Sequence, residues 1–159
     1  HMSDPTIGQV LEQDHHTIDA QLAAFADALA QGRVDADSLA AGSNALRHHI
    51  WVEEELHFPP LRAAGLMGPV LVMLREHGQI WDLLDRADSQ VAGGAQVVEL
   101  QQTWHALADV LTAHNSKEEQ ILYPSGDEIL DEQTAQSVRT ALQAGVTPPG
   151  WVCEMAGRA

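Results

Sequence analysis

Residues 49–59 read HIWVEEELHFP and residues 114–124 read HNSKEEQILYP. The two stretches share a His, a Glu-Glu pair beginning four residues later, and an aromatic-Pro pair at the end, each at the same offset. Four residues of α-helix turn through about 400°, leaving two side chains about 40° apart and one turn apart in height. His49 with Glu53, and His114 with Glu118, can therefore each aim at one common point. A shorter echo lies upstream of each stretch: DHHTI at 14–18 and EHGQI at 76–80 both place an acidic residue, a His and, three residues later, an Ile. The order short, long, short, long describes two helical hairpins of one design.

Outward from these motifs, apolar residues recur at helical spacing. A first helix carries Ile7, Leu11, Ile18, Leu22, Phe25 and Leu29, follows Ser3-Asp4-Pro5 and ends at Gly32. A second runs from near Asp37 through Leu46 and Ile50 until Pro59-Pro60 breaks it, with an irregular or kinked tail to Gly65. Gly68-Pro69 opens a third, with Val70, Leu74, Ile80 and Leu84 on one face up to Gly93-Gly94, and a fourth spans Val97 to Leu122 before Pro124. Short connections make consecutive helices neighbours, so the expected fold is all-α, an antiparallel up-down four-helix bundle. Residues 131–144 suit a short C-terminal helix, and Thr147 to Trp151 an extended tail anchored by the Trp. The domain reading is a tag remnant at 1–2, the bundle at 3–126, and a C-terminal helix and tail packing on it at 127–159.

Composition narrows the chemistry. With 23 acidic residues against eight basic ones the formal charge is -15, which repels phosphate backbones and anionic lipid, so nucleic acid and membrane are not expected partners. No apolar run reaches the roughly 20 residues of a membrane span, and no signal peptide follows Met2, so the expected location is the cytoplasm. The single cysteine, Cys153, excludes an intramolecular disulfide and cysteine-rich zinc sites. Nine histidines remain to be accounted for. His49 and His114 each come with a carboxylate, and His15 and His77 add one imidazole from each of the other two helices. Four nitrogens and two carboxylates suit several first-row metals; two carboxylates facing each other across a bundle can bridge two cations, as in di-iron and di-manganese bundles, and two histidines per metal favour iron. Were these residues ordinary core histidines, the buried Glu53 and Glu118 on the same faces would be costly and unexplained.

On these motifs the chain resembles the hemerythrin-like family, the His-His-Glu cation-binding domains, across roughly residues 7 to 125. The resemblance implies two non-haem iron ions with an oxo or hydroxo bridge, His15, His49, His77 and His114 as terminal ligands, and Glu53 and Glu118 as bridging carboxylates. It implies dioxygen, peroxide or nitric oxide as the small molecules bound, with an electron-donor protein as a candidate partner. Oxygen-carrying members have a further histidine one turn before the third helix's ligand, where this chain has Met73. That departure favours an open coordination position and redox chemistry over simple carriage. The expected function is binding of, and reaction with, these small molecules; a catalase-like enzyme, an oxygen or iron sensor, and an iron buffer are the alternatives.

The remaining polar residues carry expectations too. His57 falls one turn beyond Glu53, where the repeat has Leu122, and reads as bundle-end packing with one nitrogen in water, or else as a substitute ligand, a proton shuttle or a hydrogen-bond donor behind the ligands. His16 and His48, each about 100° from a ligand, should be exposed, and His105 structural. Asp14, Glu54, Glu76 and Glu119 read as solvated charges or as partners behind the ligands. Tyr123 reads as packing with its hydroxyl at the bundle end, with phenolate ligation as the alternative.

Overall fold

The computed structural model describes residues 4–158; the reading of His1-Met2 as a tag remnant lies outside them. Seven α-helices follow in order: α1 (Ile7–Ala30), α2 (Ala36–Val52), α3 (Phe58–Ala63), α4 (Met67–Ala92), α5 (Val97–Lys117), α6 (Tyr123–Ile129) and α7 (Glu132–Ala144). No strand occurs among the described residues. The long helices α1, α2, α4 and α5 contact one another in a closed ring, α1 to α2, α2 to α4, α4 to α5 and α5 to α1, which is the expected up-down bundle. Thr6 begins α1 with a reciprocal cap, its hydroxyl accepting from Gln9 N while the Gln9 side chain accepts from Thr6 N. Asp35 and Asp131 cap α2 and α7 in the same sense through one side-chain oxygen each.

Two predicted helix ends are corrected. Pro59-Pro60 and Pro124 do not break their helices; each follows a five-residue π turn, Glu53–His57 and Glu118–Leu122, and then sits in the first turn of the continuing α3 or α6. In both turns the backbone N–H five residues on closes the ring, Phe58 to Glu53 O and Tyr123 to Glu118 O. A proline, which has no N–H to give, is tolerated in a first turn because that N–H would lack an intrahelical partner anyway.

The π turns also reset which side chains face inward. In an α-helix the residue four after Glu53 would lie above it; with one residue added to the turn, the fifth does. Phe58 and Tyr123, rather than His57 and Leu122, are thereby carried over the carboxylates. The interior is layered accordingly. One apolar layer at the proline end includes Leu11, Val52, Phe58, Met73, Leu74 and Leu122, and a second includes Ile18, Leu46, Ile50, Ile80 and Leu111. His15, His49, His77 and His114 fall in sequence between members of these two layers, so one polar storey crosses the bundle between dry ones. Each fully buried Leu, Ile or Phe around it contributes about 1.5–3 kcal/mol of hydrophobic stabilisation.

Beyond the bundle, α7 packs on α1 and α2. His48, expected to be exposed, is instead buried under this cover, with Nδ1 against Thr147 Oγ1 at 2.9 Å and Nε2 against Ala141 O at 2.8 Å. Sequence spacing placed His48 correctly off the ligand face but could not foresee the helix that covers it. His16 is exposed as expected, and His105, expected to be structural, is exposed as well.

Candidate metal centre

All six candidate ligands come together in two groups that share both carboxylates. His15, His49, Glu53 and Glu118 form one; Glu53, His77, His114 and Glu118 form the other; within each group one donor atom per residue lies within 4.8 Å of all the rest. Glu53 turns one oxygen to each group, Oε2 at 3.4 Å from His49 Nε2 and Oε1 at 3.1 Å from His77 Nε2. Glu118 Oε1 lies 3.2 Å from both His15 Nε2 and His114 Nε2. Both carboxylates are wholly buried, and Glu118 Oε2 has no protein partner. A charged oxygen left alone in a dry interior is costly, and a cation beside it would remove that cost.

Behind the four imidazoles stand four carboxylates, arranged with a pseudo-twofold repeat. Asp14 Oδ2 accepts from His49 Nδ1 at 2.8 Å, and Glu76 Oε1 from His114 Nδ1 at 2.9 Å. Glu54 Oε2 accepts from His77 Nδ1 at 2.7 Å, and Glu119 Oε2 from His15 Nδ1 at 2.8 Å. Every Nδ1 is thus tied outward and every Nε2 is presented inward, the tautomer and ring orientation that metal-ligating histidines need. Of the two readings open for these acids, partners behind the ligands is the one realised. The Asp-His and Glu-His pairs of the short motifs acquire their meaning here: the acid braces the histidine of the next helix, not its own neighbour.

Tyr123 departs from its expected place. Its hydroxyl is not at the bundle end but in the first group, donating to Glu53 Oε2 at 2.7 Å and lying 3.0 Å from His15 Nε2, 3.1 Å from His49 Nε2 and 3.2 Å from Glu118 Oε1. The π turn after Glu118 puts it there, and the repeated aromatic-Pro pair was the sequence signal. Its counterpart Phe58 stacks on His77 at 5.4 Å between ring centroids, with no hydroxyl to offer. At this position the two halves of the site therefore differ by one oxygen atom.

His57 departs too. It is wholly buried, neither ring nitrogen has a protein partner, and its ring meets Tyr123 edge-on at 5.6 Å. It is not bundle-end packing with a nitrogen in water, because α6 closes over it at Gly126. A Cβ on Gly126 would lie 2.5 Å from His57 Nε2. Gly126→Ala should destabilise the protein by about 1–3 kcal/mol, the usual cost of overpacking a rigid site. Thermal melts would register the loss, and adding His57→Ala should recover part of it.

Charges in this storey balance one another. Burial pushes Glu53 up, but His49 and His77 outweigh it and hold Glu53 well below the usual carboxylate range. Glu118 is lowered as well, burial and Glu53 opposing and His114 prevailing. Burial likewise depresses His49, His77 and His114, yet Glu53, Glu118 and the outer acids raise all three, His114 to about 10. For His57 burial wins and its basicity falls. The sign of the pH dependence follows for the metal-free chain. Stabilisation from His114 is full below its ordinary 6.5 and is lost as pH rises through about 10. That from Glu53 and Glu118 is full above their ordinary 4.5 and is lost as pH falls through their lowered values. Imidazoles must be neutral to bind a cation, so metal uptake at pH 7 should release protons, that of His114 above all, since it is raised to about 10. An indicator dye in weak buffer measures that release; no release would mean the histidines are neutral beforehand.

The donor set fits a pair of cations: inward Nε2 atoms, two shared carboxylates, an orphaned Glu118 oxygen and a braced outer layer. The family model described as Hemerythrin HHE cation binding domain matches residues 6–125. No curated protein and no solved structure matches the chain.

Proposed function

The chain belongs to the hemerythrin HHE cation-binding family, and from that premise we propose that it holds two non-haem iron ions and uses them to bind and react with dioxygen, peroxide or nitric oxide. His15, His49, Glu53 and Glu118 would hold one ion, with the Tyr123 hydroxyl as a further donor, and Glu53, His77, His114 and Glu118 would hold the other. Two iron ions held there, with an oxo or hydroxo bridge, would supply a redox pair for small-molecule activation. The single observation that supports the reading most is the sharing of Glu53 and Glu118 by two groups that each add two histidines.

The chain's own residues have separable tasks. Asp14, Glu54, Glu76 and Glu119 keep the imidazoles oriented and more basic. Lys117, paired with Glu76, steadies the acid behind His114. The Tyr123 hydroxyl, 2.7 Å from Glu53 Oε2, donates to that carboxylate and brings a proton to the site without admitting bulk water. Met73, 1% exposed where oxygen-carrying relatives are expected to supply an imidazole, contributes an apolar wall instead. Phe58, Leu74 and Leu122 complete that dry enclosure. An iron buffer is the weakest of the readings, since every proposed ligand is at most 3% exposed and a buffer must release its metal readily.

Anaerobic loading with ferrous iron, a metal count per chain and exposure to oxygen test the proposal. Two irons per chain and a visible absorption change are expected. A change that reverses when oxygen is removed favours a carrier or sensor; an irreversible one favours turnover, to be followed by a peroxide assay. A chain that takes up no iron refutes the reading.

A further inference from the structure

Residues 145–158 lie beyond the stretch matched by the family, and of the four acids behind the imidazoles, among the described residues, they hydrogen-bond to Glu54. Glu54, the acid behind His77, has both oxygens engaged: Oε2 accepts from His77 Nδ1 at 2.7 Å and Oε1 accepts from the backbone N–H of Glu154 at 3.0 Å. Its counterpart Glu119 has, among the described residues, only the His15 contact, and its side chain is 26% exposed against 6% for Glu54. The tail reaches Glu54 by several anchors. Trp151 donates from Nε1 to Glu55 and meets the edge of Trp81, Cys153 is buried in the core layer beneath, and Gly157 N donates to Asp82. Gly78, next to His77, admits the tail backbone, since a Cβ there would lie 2.5 Å from Met155 O.

We propose that this tail is a positioning strap for one metal position: the Glu154 N–H fixes Glu54, Glu54 fixes His77, and the position held by His77 and His114 is thereby the tighter of the two. The position held by His15 and His49, braced by a more exposed acid and with the Tyr123 hydroxyl already engaged with Glu53, is the weaker and the faster to exchange. This inference rests on the proposed metal function. A carboxylate held at both oxygens cannot turn away from the imidazole it braces, and loss of such bracing typically weakens metal binding by about 10–100-fold.

The test is a cobalt(II) titration followed by visible absorption, with circular dichroism as the check on folding. Wild-type protein should bind in two steps. Glu54→Gln should weaken the tighter step by about 10–100-fold. Glu154→Pro, which removes the N–H that Glu54 accepts from, should weaken the same step by about tenfold. The discriminating readout is coupling. Glu154→Pro should add nothing in a Glu54→Gln background yet act in full in a Glu119→Gln background, a pattern that general loosening of the fold would not give. Equal effects in both backgrounds, or two-step binding untouched by Glu154→Pro, overturn the strap alone. Wild-type protein that binds no cobalt overturns the metal reading and the strap with it.

Discussion

Glu53→Gln is expected to abolish metal uptake at both positions, whereas His49→Ala is expected to leave the position of His77 and His114 loaded. The contrast follows from connectivity. Glu53 belongs to both donor groups and turns a different oxygen toward each, while His49 belongs to one. An amide in place of the carboxylate keeps the volume, so the apolar layers above and below stay packed, but it removes the negative charge that offsets two neighbouring cations. Without metal the same substitution takes away the main attraction that raises His49, which should then lose its proton to burial. Metal content after anaerobic loading and desalting decides the matter. Full occupancy in Glu53→Gln would show that the carboxylate is not shared, and equal loss in both variants would show that the two positions fill only together.

Tyr123→Phe should remove a visible phenolate-to-iron charge-transfer band from the ferric protein while leaving its iron content nearly unchanged. The hydroxyl sits within 3.2 Å of donor atoms from His15, His49, Glu53 and Glu118, close enough to join the set around one cation. In the metal-free chain burial and the two carboxylates push Tyr123 well above its ordinary value, so it is a neutral phenol. A bound trivalent ion inverts that local balance and favours the phenolate. Packing should tolerate the change, because Phe58 already fills the equivalent place in the other half against His77. Identical spectra for the two proteins would mean that the hydroxyl only donates to Glu53. The corresponding Phe58→Tyr variant tests the same logic in reverse, since it should create a second band.

These expectations show where local sequence and tertiary packing divide the work. The four long helices, their up-down order and the six residues that come together in the two donor groups were legible because each rests on a period: apolar residues at helical spacing, and a His and Glu four residues apart that share a face whatever surrounds them. The repeat of the whole pattern then paired the hairpins. Prediction failed where one extra residue in a turn changed the phase. From the sequence, Pro59 and Pro124 read as helix ends and His57 as bundle-end packing one turn beyond Glu53, because α-helical spacing was carried one turn too far. The π turns shift that spacing by a residue, carry Tyr123 inward and leave His57 buried behind Gly126.

The chain's sequence by itself determined what could bind metal, since donor type and helical spacing are local properties that survive any arrangement of the bundle. Tertiary structure alone decided how the two halves differ: which acid braces which histidine across helices, which half gains the Tyr123 hydroxyl, and which half lies under the tail. Those choices depend on contacts between residues as far apart as Glu54 and Glu154, and no short-range pattern encodes them.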